Sequence, residues 1–581
     1  MTLRPQNASM LPNGSTPHDK PRQEDRESRI AGRPRRYKRG DRLPRPLGRT
    51  PGPAGNVHKP EARNPNPVVQ ESWRSRQNRP HHQRPLPART GRHGGCGPAF
   101  RVGTGKRQGD ARNRTCTEGV SGARRRPCGA QAMSAAQPDI LDVRLEAADI
   151  PLGHLARKDG GCRFAYTPDY LARTDAMPLS LSLPLREEPY GDVESRAFFD
   201  NLLQENDQLQ QTMDRERIAR DDIVGLLSFV GGDCAGAISC LPPGSGPVKV
   251  PGNLATDYDE LPREELIDIM RRLADKLPLP DAIKDPSPVA GVQRKIALTE
   301  IAKGRFGLPK PGLRVPTTHI LKVPERRLAR EVLLEAVATR LAHAVGLEVA
   351  IPAEFKLDDE AGLLSLRFDR RIDVNSVTRI HQEDFCQALG LPARLKYERN
   401  GTAELRFAAT AVSDLLGRTA APARDKRSFM VSAFFNLAIG NNDNHAKNHA
   451  LLYDTGPIPR LAPLYDLQPV RLTGRYTDEL AFRIGAADRF DTVTAGDIAA
   501  FMAAFGPGTA TAQRRFIEGE VGPMLAELDR QTAVLPSHGL KDFDDLIGRE
   551  ISQLADLLGL KLATRERDYF TEKGGGWGQL S

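Results

Sequence analysis

The strongest constraint on the fold is a change of hydrophobic period along the chain. Residues 139–240 and 285–372 contain short runs in which apolar and polar residues alternate, as they do in half-buried strands, and the second stretch surrounds one helical pattern near 327–345. Within the first stretch, the apolar, glycine-containing run Gly225–Cys240 predicts a strand, a loop and a second strand. From residue 381 onward, apolar residues recur mainly at helical spacing. A β-rich part followed by a helical part predicts an α+β fold with two lobes.

The basic net charge belongs to one end of the chain. Residues 1–132 hold 29 Lys and Arg against 9 Asp and Glu, whereas the remainder holds 55 against 65. The first stretch is poor in large apolar residues, so we predict a disordered Arg/Pro-rich tail. It would be a nucleic-acid-binding or targeting arm or, alternatively, sequence upstream of a true translation start at Met133. The acidic remainder offers no electrostatic support for direct, tight DNA binding.

The cysteines and the hydropathy indicate an intracellular protein. Seven cysteines are scattered without a CxxC pair, which argues against a disulfide framework or a zinc site. No apolar run approaches the ~20 residues that span a bilayer. The expected localisation is therefore cytoplasmic, with no membrane partner.

A polar cluster, Gly440–Asn448 (GNNDNHAKN), follows the apolar helical stretch AFFNLAIG. Asp443 precedes Asn448 by five residues, which is the spacing of the catalytic loop of protein kinases, where the Asp orients the acceptor hydroxyl and the Asn binds Mg²⁺. A polar loop at a helix end would also favour Asn and Asp for turn reasons. On this pattern alone the two interpretations are equally supported.

Three further residues could complete a phosphoryl-transfer site. Asp466 follows a short apolar run some distance past the loop, as the metal-binding Asp of kinases does. Lys322 ends a strand-like segment, and Glu335 in the next helix could pair with it. Taken singly, a turn Asp and a surface Lys are the commoner explanations, so the prediction depends on all of them occurring in the right order.

The segment Ala290–Lys295 (AGVQRK) is a weaker phosphate-binding candidate. Its Gly291 could present backbone N–H groups to phosphate, with Gln293 and Lys295 beside it. Neither of the common glycine-rich phosphate motifs is present.

Taken together, these residues resemble the HipA family of serine/threonine kinase toxins over about residues 141–560. The matching stretches are PLSLSLPL (178–185), FFDNLLQE (198–205), GGDCAGA (231–237), AGVQRK (290–295), TTHILKVP (317–324), RFDRR (367–371), HQEDFCQALGLP (381–392), LKYE (395–398), IGNNDNHAKNH (439–449) and LAPLYDL (461–467). The resemblance implies a protein-kinase-like fold. The expected divisions are a tail (1–132), a β-rich N-terminal subdomain (133–250), a kinase N-lobe (251–375), a helical C-lobe (376–570) and a short tail (571–581).

The resemblance also implies roles for individual residues, with ATP and Mg²⁺ as cofactors. Asp443 becomes the catalytic base, supported by His445, with Asn448 and Asp466 as Mg²⁺ ligands. The expected nucleotide-binding residues are Lys322, Glu335, Gly291, Gln293 and Lys295, with Arg367 and Phe368 beside adenine.

The partners implied by the resemblance are a small helix-turn-helix antitoxin similar to HipB and a protein substrate, such as an aminoacyl-tRNA synthetase, whose phosphorylation halts translation. DNA would be contacted only through the antitoxin.

One departure from the family pattern concerns self-regulation. The family often has a self-phosphorylated serine immediately before the glycine-containing loop, but Pro288 stands there in this chain. Because proline fixes φ and removes a donor, the neighbouring Ser287 is predicted only as a hypothetical self-phosphorylation site.

Two other functions stay open from the sequence. One is a catalytically inactive, antitoxin-binding module that acts in transcriptional autorepression. The other is a kinase for a lipid or another small molecule, because a fold does not fix the acceptor. The retained Asp443, Asn448, Asp466 and Lys322 argue against the first, and the absence of an evident membrane-binding surface argues against a lipid acceptor.

Overall fold

The computed structural model of the protein describes residues 138–203, 207–280, 295–473 and 478–569. The predicted tails, 1–132 and 571–581, lie outside the described residues. So do Ser287, Gly291 and Gln293.

The first part is a β-sheet backed by helices. Its elements are β1 (Ile140–Leu145), β2 (Gly153–Lys158), β3 (Gly161–Tyr166), α1 (Pro168–Leu171), α2 (Asp192–Phe199), α3 (Asp207–Glu216), α4 (Ile223–Val230) and β4 (Ile238–Leu241). The strands pair antiparallel in the order β3-β2-β1-β4. Leu141 and Val143 of β1 are fully buried in the core of this part, as the alternation in the sequence predicts. Asp142 and Arg144 are buried as well, so β1 is covered on both faces and is not the half-buried strand that the alternation indicated.

One local prediction for this part is wrong. The apolar, glycine-containing stretch Gly225–Cys240 suggested a strand, a loop and a second strand, but its first half lies in helix α4. The Asp222 side chain accepts a hydrogen bond from the Gly225 N–H at 2.9 Å and so caps the helix. A short apolar run carries no periodicity that separates a buried helix from a buried strand.

The second part is built on a larger antiparallel sheet. Its elements are β5 (Gly252–Asn253), β6 (Tyr258–Glu260), α5 (Arg263–Ala274), β7 (Lys295–Ala302), β8 (Arg305–Pro309), β9 (His319–Lys322), α6 (Ala329–Ala344), β10 (Pro352–Leu357), β11 (Glu360–Leu366), β12 (Arg370–Ile372) and β13 (Ser376–Arg379). The sheet order is β10-β11-β9-β7-β8-β6, and β12-β13-β5 form a small separate sheet. Helix α6 is the helix predicted near 327–345, and Gly346 follows it at φ +89°.

The third part is mainly helical. Its elements are β14 (His381–Asp384), α7 (Phe385–Ala388), α8 (Ala409–Leu416), α9 (Pro422–Ala438), β15 (Ala450–Tyr453), β16 (Arg460–Leu461), β17 (Glu479–Ile484), β18 (Ala487–Arg489), α10 (Ala495–Phe505), α11 (Ala510–Phe516), α12 (Gly522–Gln531) and α13 (Lys541–Leu558). Helix α9 lies in the largest core of the described residues, with Phe429, Phe434 and Phe435 buried. A rigid, buried α9 gives a fixed base for the polar loop that follows it.

Candidate active site

An ion cluster around the largely buried Lys322 lies where the second and third parts meet. Lys322 ends β9, a central strand of the larger sheet, and its Nζ lies 2.5 Å from Oε1 of Glu335 on α6 and 3.0 Å from Oδ1 of Asp466. Burial alone would lower the pKa of Lys322, but the two carboxylates outweigh it and hold that pKa above its ordinary value. Lys322 is therefore a fixed cation, and we call these three residues the cleft cluster.

Asp466 is held at this position by the backbone of the segment that precedes it. The Ala462 N–H donates to Ala450 O of β15, and the Leu464 N–H donates to Glu348 O. Asp466 itself adopts φ +59°, a left-handed conformation that Asp tolerates better than most residues. The positive charges of Lys322 and Lys295 keep the pKa of its carboxyl below the ordinary value despite partial burial.

Lys295 adds a second cation to the cluster. It pairs directly opposite Lys322 in the antiparallel ladder between β7 and β9, so both side chains belong to one face of the sheet. Like charges directly opposite each other on a sheet repel. Two lysines facing one another beside Asp466 therefore favour an anionic ligand, and a nucleotide phosphate has the required charge.

The polar cluster after α9 folds into a loop held by its own side chains. Gly440 ends the helix at φ +70°. Asn441 Nδ2 donates to Asn436 Oδ1 at 2.7 Å, and Asn441 Oδ1 accepts from the Asp443 N–H at 3.1 Å. Asn448 Nδ2 donates to the Asp443 carbonyl at 2.9 Å. The asparagines thus stabilise the turn at the helix end, as the alternative interpretation of this cluster expected. Their hydrogen bonds also fix the position of Asp443.

The Asp443 carboxylate faces a mixed environment. Burial raises its pKa above the ordinary value, and the hydrogen bond from Tyr397 and the charge of Lys396 partly offset that rise. The Tyr397 hydroxyl lies 2.5 Å from Asp443 Oδ1. Burial, helped by Lys396, lowers the pKa of His445 to about 3, so its imidazole is neutral at physiological pH. His445 can support the loop but cannot supply a positive charge to it.

Asn448 and Asp466 fit a hard divalent cation. Asn448 uses its amide nitrogen within the loop, which leaves its oxygen for a cation. Asp466 supplies a carboxylate, and the two segments meet where the Tyr465 hydroxyl donates to Lys447 O at 2.8 Å. The described residues contain no group of three or more His, Cys, Asp or Glu that could hold a metal alone. Mg²⁺ would therefore need phosphate oxygens and water as its other ligands, as in phosphoryl-transfer sites.

Comparisons with known proteins decide the family. The HipA N-terminal domain matches residues 141–241, and the HipA-like C-terminal domain matches residues 287–527. The chain belongs to the HipA family. The resemblance predicted from the motifs is thereby confirmed, and the fold is α+β and kinase-like, as predicted.

Individual relatives agree with this assignment. The chain is 34% identical over 398 residues to Y4mE of Sinorhizobium fredii, named only as a candidate kinase, with 67% of this chain and 89% of that protein covered. It is 32% identical over 391 residues to the serine/threonine-protein kinase toxin HipA of Shewanella oneidensis, with 64% of this chain and 85% of that protein covered. The solved complex of HipA, HipB and operator DNA from Shewanella oneidensis MR-1 matches with a TM-score of 0.58 at 26% identity, covering 72% of this chain and 98% of the HipA-family chain in it.

The predicted adenine-side residues of this HipA-family chain lie at the junction of the two lobes. The Arg367 N–H donates to Thr318 O at 2.9 Å, and the Arg367 guanidinium pairs with Asp369 at 2.8 Å. The Phe368 ring lies 5.5 Å from that of Tyr465, next to Asp466. The Arg367 N–H is therefore already hydrogen-bonded to the strand beside it. A backbone contact between this residue and adenine would have to use the Arg367 carbonyl. The adenine contact itself stays a prediction.

Sequence reasoning missed three polar residues that hold the site together. Tyr397 bonds Asp443, Gln468 Nε2 donates to Glu335 Oε2 at 3.2 Å, and Lys447 Nζ lies 3.0 Å from Asp384 Oδ2. Lys447 lies inside the predicted loop, Gly440–Asn448, so the sequence did indicate that it lies near the site. Tyr397 and Gln468 act across long sequence separations, which no local spacing reveals.

Proposed function

We propose that this HipA-family chain is an ATP- and Mg²⁺-dependent serine/threonine protein kinase that acts as the toxin of a toxin–antitoxin pair. One observation carries the proposal: Lys322 bridges Glu335 and Asp466, and Tyr465 beside Asp466 donates a hydrogen bond to Lys447 O of the loop that carries Asp443. Cation, metal-binding carboxylate and base thus share one site, as phosphoryl transfer requires.

We propose a separate role in this reaction for each residue of the site. Lys322 and Lys295 would neutralise phosphate charge, and Glu335 would hold Lys322 in place. Asn448 and Asp466 would hold Mg²⁺, which supplies charge neutralisation for the transferred phosphoryl group when bound. Asp443 would orient the acceptor hydroxyl and accept its proton.

The toxin role rests on the relatives. One is named a kinase toxin, and the similar solved structure contains HipB and operator DNA. We therefore propose a small helix-turn-helix antitoxin as partner, with DNA contacted through it. The proposed acceptor is a serine of a protein such as an aminoacyl-tRNA synthetase, whose phosphorylation would stop translation.

Two further parts of the proposal concern location and regulation. No helix among the described residues is long and apolar enough to cross a membrane, and an acceptor in the translation machinery would place the kinase in the cytoplasm. Self-phosphorylation at Ser287 stays a hypothesis, and phosphopeptide mapping after incubation with ATP tests it.

The test of the proposed function compares the full-length chain with Asp443→Ala and Asp466→Ala. We expect the wild type to arrest growth of a bacterial expression host and to transfer labelled phosphate from ATP to a host protein. Both variants should lose transfer by at least about 1,000-fold, because several kcal/mol of transition-state stabilisation is removed.

The control for this test is Asp358→Asn, which removes an exposed carboxylate between β10 and β11 that pairs with Arg263 and takes no part in the cleft cluster. It should arrest growth and label the same band as the wild type. If the wild type and both active-site variants behave alike, the kinase proposal fails and an inactive, antitoxin-binding function takes its place.

A further inference from the structure

We propose that Tyr397 is a positioning residue for phosphoryl transfer, which holds the Asp443 carboxylate ready for the acceptor hydroxyl. The inference rests on the proposed function and adds a residue to it. Tyr397 lies in the connection between α7 and α8, 46 residues before Asp443, and its hydroxyl donates to Asp443 Oδ1 at 2.5 Å.

The hydrogen bond fixes an otherwise soft torsion. The χ2 angle of Asp is broad and nearly two-fold, so packing alone defines the carboxylate plane poorly. A hydroxyl that donates to a carboxylate at this distance makes a strong, charge-assisted hydrogen bond. None of the described residues hydrogen-bonds the second oxygen, Oδ2. Oδ1 is therefore anchored, and Oδ2 is left to receive the acceptor proton.

Tyr397 is itself held rigidly by its neighbours. The Arg399 guanidinium lies 4.1 Å from the centre of the Tyr397 ring, and Arg399 also pairs with Glu479 at 3.3 Å. On the loop side, the His445 ring meets the Tyr397 ring edge-on at 5.1 Å. An anchor with so few remaining degrees of freedom transmits its position to Asp443.

The backbone beside Tyr397 is tied to the same loop. The Ala446 N–H donates to Lys396 O at 3.0 Å. The segment that carries Tyr397 and the loop that carries Asp443 are therefore joined both by backbone and by side chain. This double connection distinguishes Tyr397 from a tyrosine that happens to lie near a carboxylate.

The experiment uses the full-length chain with Tyr397→Phe, which keeps the ring and its contacts with Arg399 and His445 but removes the hydroxyl. The matched control is Tyr258→Phe, which removes one buried hydroxyl that donates to Pro316 O at 2.6 Å in the larger sheet. Initial rates of phosphate transfer to the labelled host protein are measured against ATP concentration. The active fraction of each protein comes from the stoichiometry of Mg·ADP binding by calorimetry.

We expect Tyr397→Phe to lower kcat about 10- to 100-fold per active molecule, because a small displacement of a reacting group has an effect of that size. KM for ATP and the affinity for Mg·ADP should stay at the wild-type values, and Tyr258→Phe should keep the wild-type kcat. A merely structural role would reduce the active fraction or weaken nucleotide binding instead.

Three results would overturn the inference. One is an unchanged kcat in Tyr397→Phe, and another is a loss explained entirely by the active fraction or by KM. The third is phosphate on Tyr397 of the wild type, which would make this residue an acceptor. A wild type that transfers no phosphate would instead reject the proposed function, so the two failures are distinguishable.

Discussion

Buried ionisable groups are stabilised in opposite ways in two regions of this protein. In the cleft cluster, Asp466 lies against Lys322, and the cation keeps the pKa of Asp466 low. Glu383 of β14 lies where the third part packs against the Ser180–Leu181 segment, a contact that we call the seam. Glu383 accepts hydrogen bonds from the Ser180 hydroxyl, the Leu181 N–H and the Tyr453 hydroxyl.

The difference lies in the charge of the partners. Although three donors surround Glu383, none of them is a cation, and burial raises its pKa to about 7. Burial without a counter-charge favours the neutral form of a carboxyl group, whereas burial beside an ammonium favours the ionised form. The cleft thus keeps permanent charges, which the proposed function would use to hold a nucleotide and Mg²⁺, and the seam keeps groups that join two parts of the fold.

The largest effect is expected from a substitution that breaks the cleft cluster. Lys322→Met leaves the buried Glu335 without its cation, and the partly exposed Asp466 loses the same partner. Removing one partner of a buried ion pair typically costs about 3 kcal/mol or more, so the free energy of unfolding in urea should fall by about that much. Phosphate transfer should fall to background, because the phosphate-neutralising charge is lost with it.

The control for this prediction is Arg263→Met, which removes the exposed partner of Asp358. Exposed ion pairs contribute little to stability, so its unfolding curve and its transfer rate should match the wild type. Equal urea midpoints for Lys322→Met and Arg263→Met would contradict the buried character of the cleft cluster.

The cleft cluster also shows how much the sequence could predict. The strand that ends at Lys322, the helix that carries Glu335 and the loop around Asp443 follow from local periodicity and spacing. The contact between Lys322 and Asp466 spans 144 residues, and the sequence suggested it only through the order of the motifs. Tyr397 also lies in one of the matching stretches, LKYE (395–398), but that match named no partner for it, because tyrosine in a connecting segment has no typical spacing from a base.

The contact at the seam could not be predicted from the sequence, for a different reason. The Ser180 and Glu383 side chains meet across 203 residues, and neither has a residue type that marks a buried contact. The prediction for the α4 stretch was wrong for a similar reason: five consecutive residues, Ile223–Leu227, are buried, so they lack the amphipathic pattern from which a surface helix is predicted. Local patterns therefore predict the elements, and tertiary burial decides what the polar residues between them do.

A substitution with an intermediate expected effect, at Lys447, tests the link between the seam and the loop that carries Asp443. Lys447 lies in the loop, and its Nζ contacts Asp384 Oδ2 at 3.0 Å and Asn201 Oδ1 of the N-terminal part at 3.2 Å. Lys447→Met should lower the free energy of unfolding by about 2 kcal/mol, because the buried Asp384 charge loses its partner. It should also lower kcat about 10-fold by loosening the loop, with KM for ATP unchanged.

The matched variant for Lys447→Met is Asp384→Asn. The Asp384 side chain also caps α7 by accepting from the Gln387 N–H at 2.9 Å, and Asn caps a helix as well as Asp does. Asp384→Asn therefore removes the charge and keeps the cap. If it lowers kcat as Lys447→Met does, the ion pair positions the loop, and a wild-type kcat would show that Asp384 has no part in positioning it.

The smallest expected effect is a pH dependence that separates two buried groups of β14, Glu383 and His381, whose Nε2 lies 2.8 Å from Leu179 O next to the seam. Glu383 has a folded pKa of about 7, above the ordinary value of about 4.3. Its stabilising contribution is therefore fully present below the unfolded pKa and is lost as pH rises through 7. Burial lowers the pKa of His381 to about 4. Its contribution is present above the unfolded pKa of about 6.5 and is lost as pH falls toward 4.

Between about pH 4.5 and 6.5 the two contributions have opposite slopes and largely cancel in the wild type. Glu383→Gln removes one of them, so its stability relative to the wild type should fall as the pH is lowered from 7 to 5, by about 1 kcal/mol per pH unit. Urea denaturation of both proteins at pH 7, 6 and 5 measures the difference, and other titrating groups cancel in the comparison. A difference that does not change with pH would mean that Glu383 is ionised in the folded protein, and the contrast between the seam and the cleft cluster would then fail.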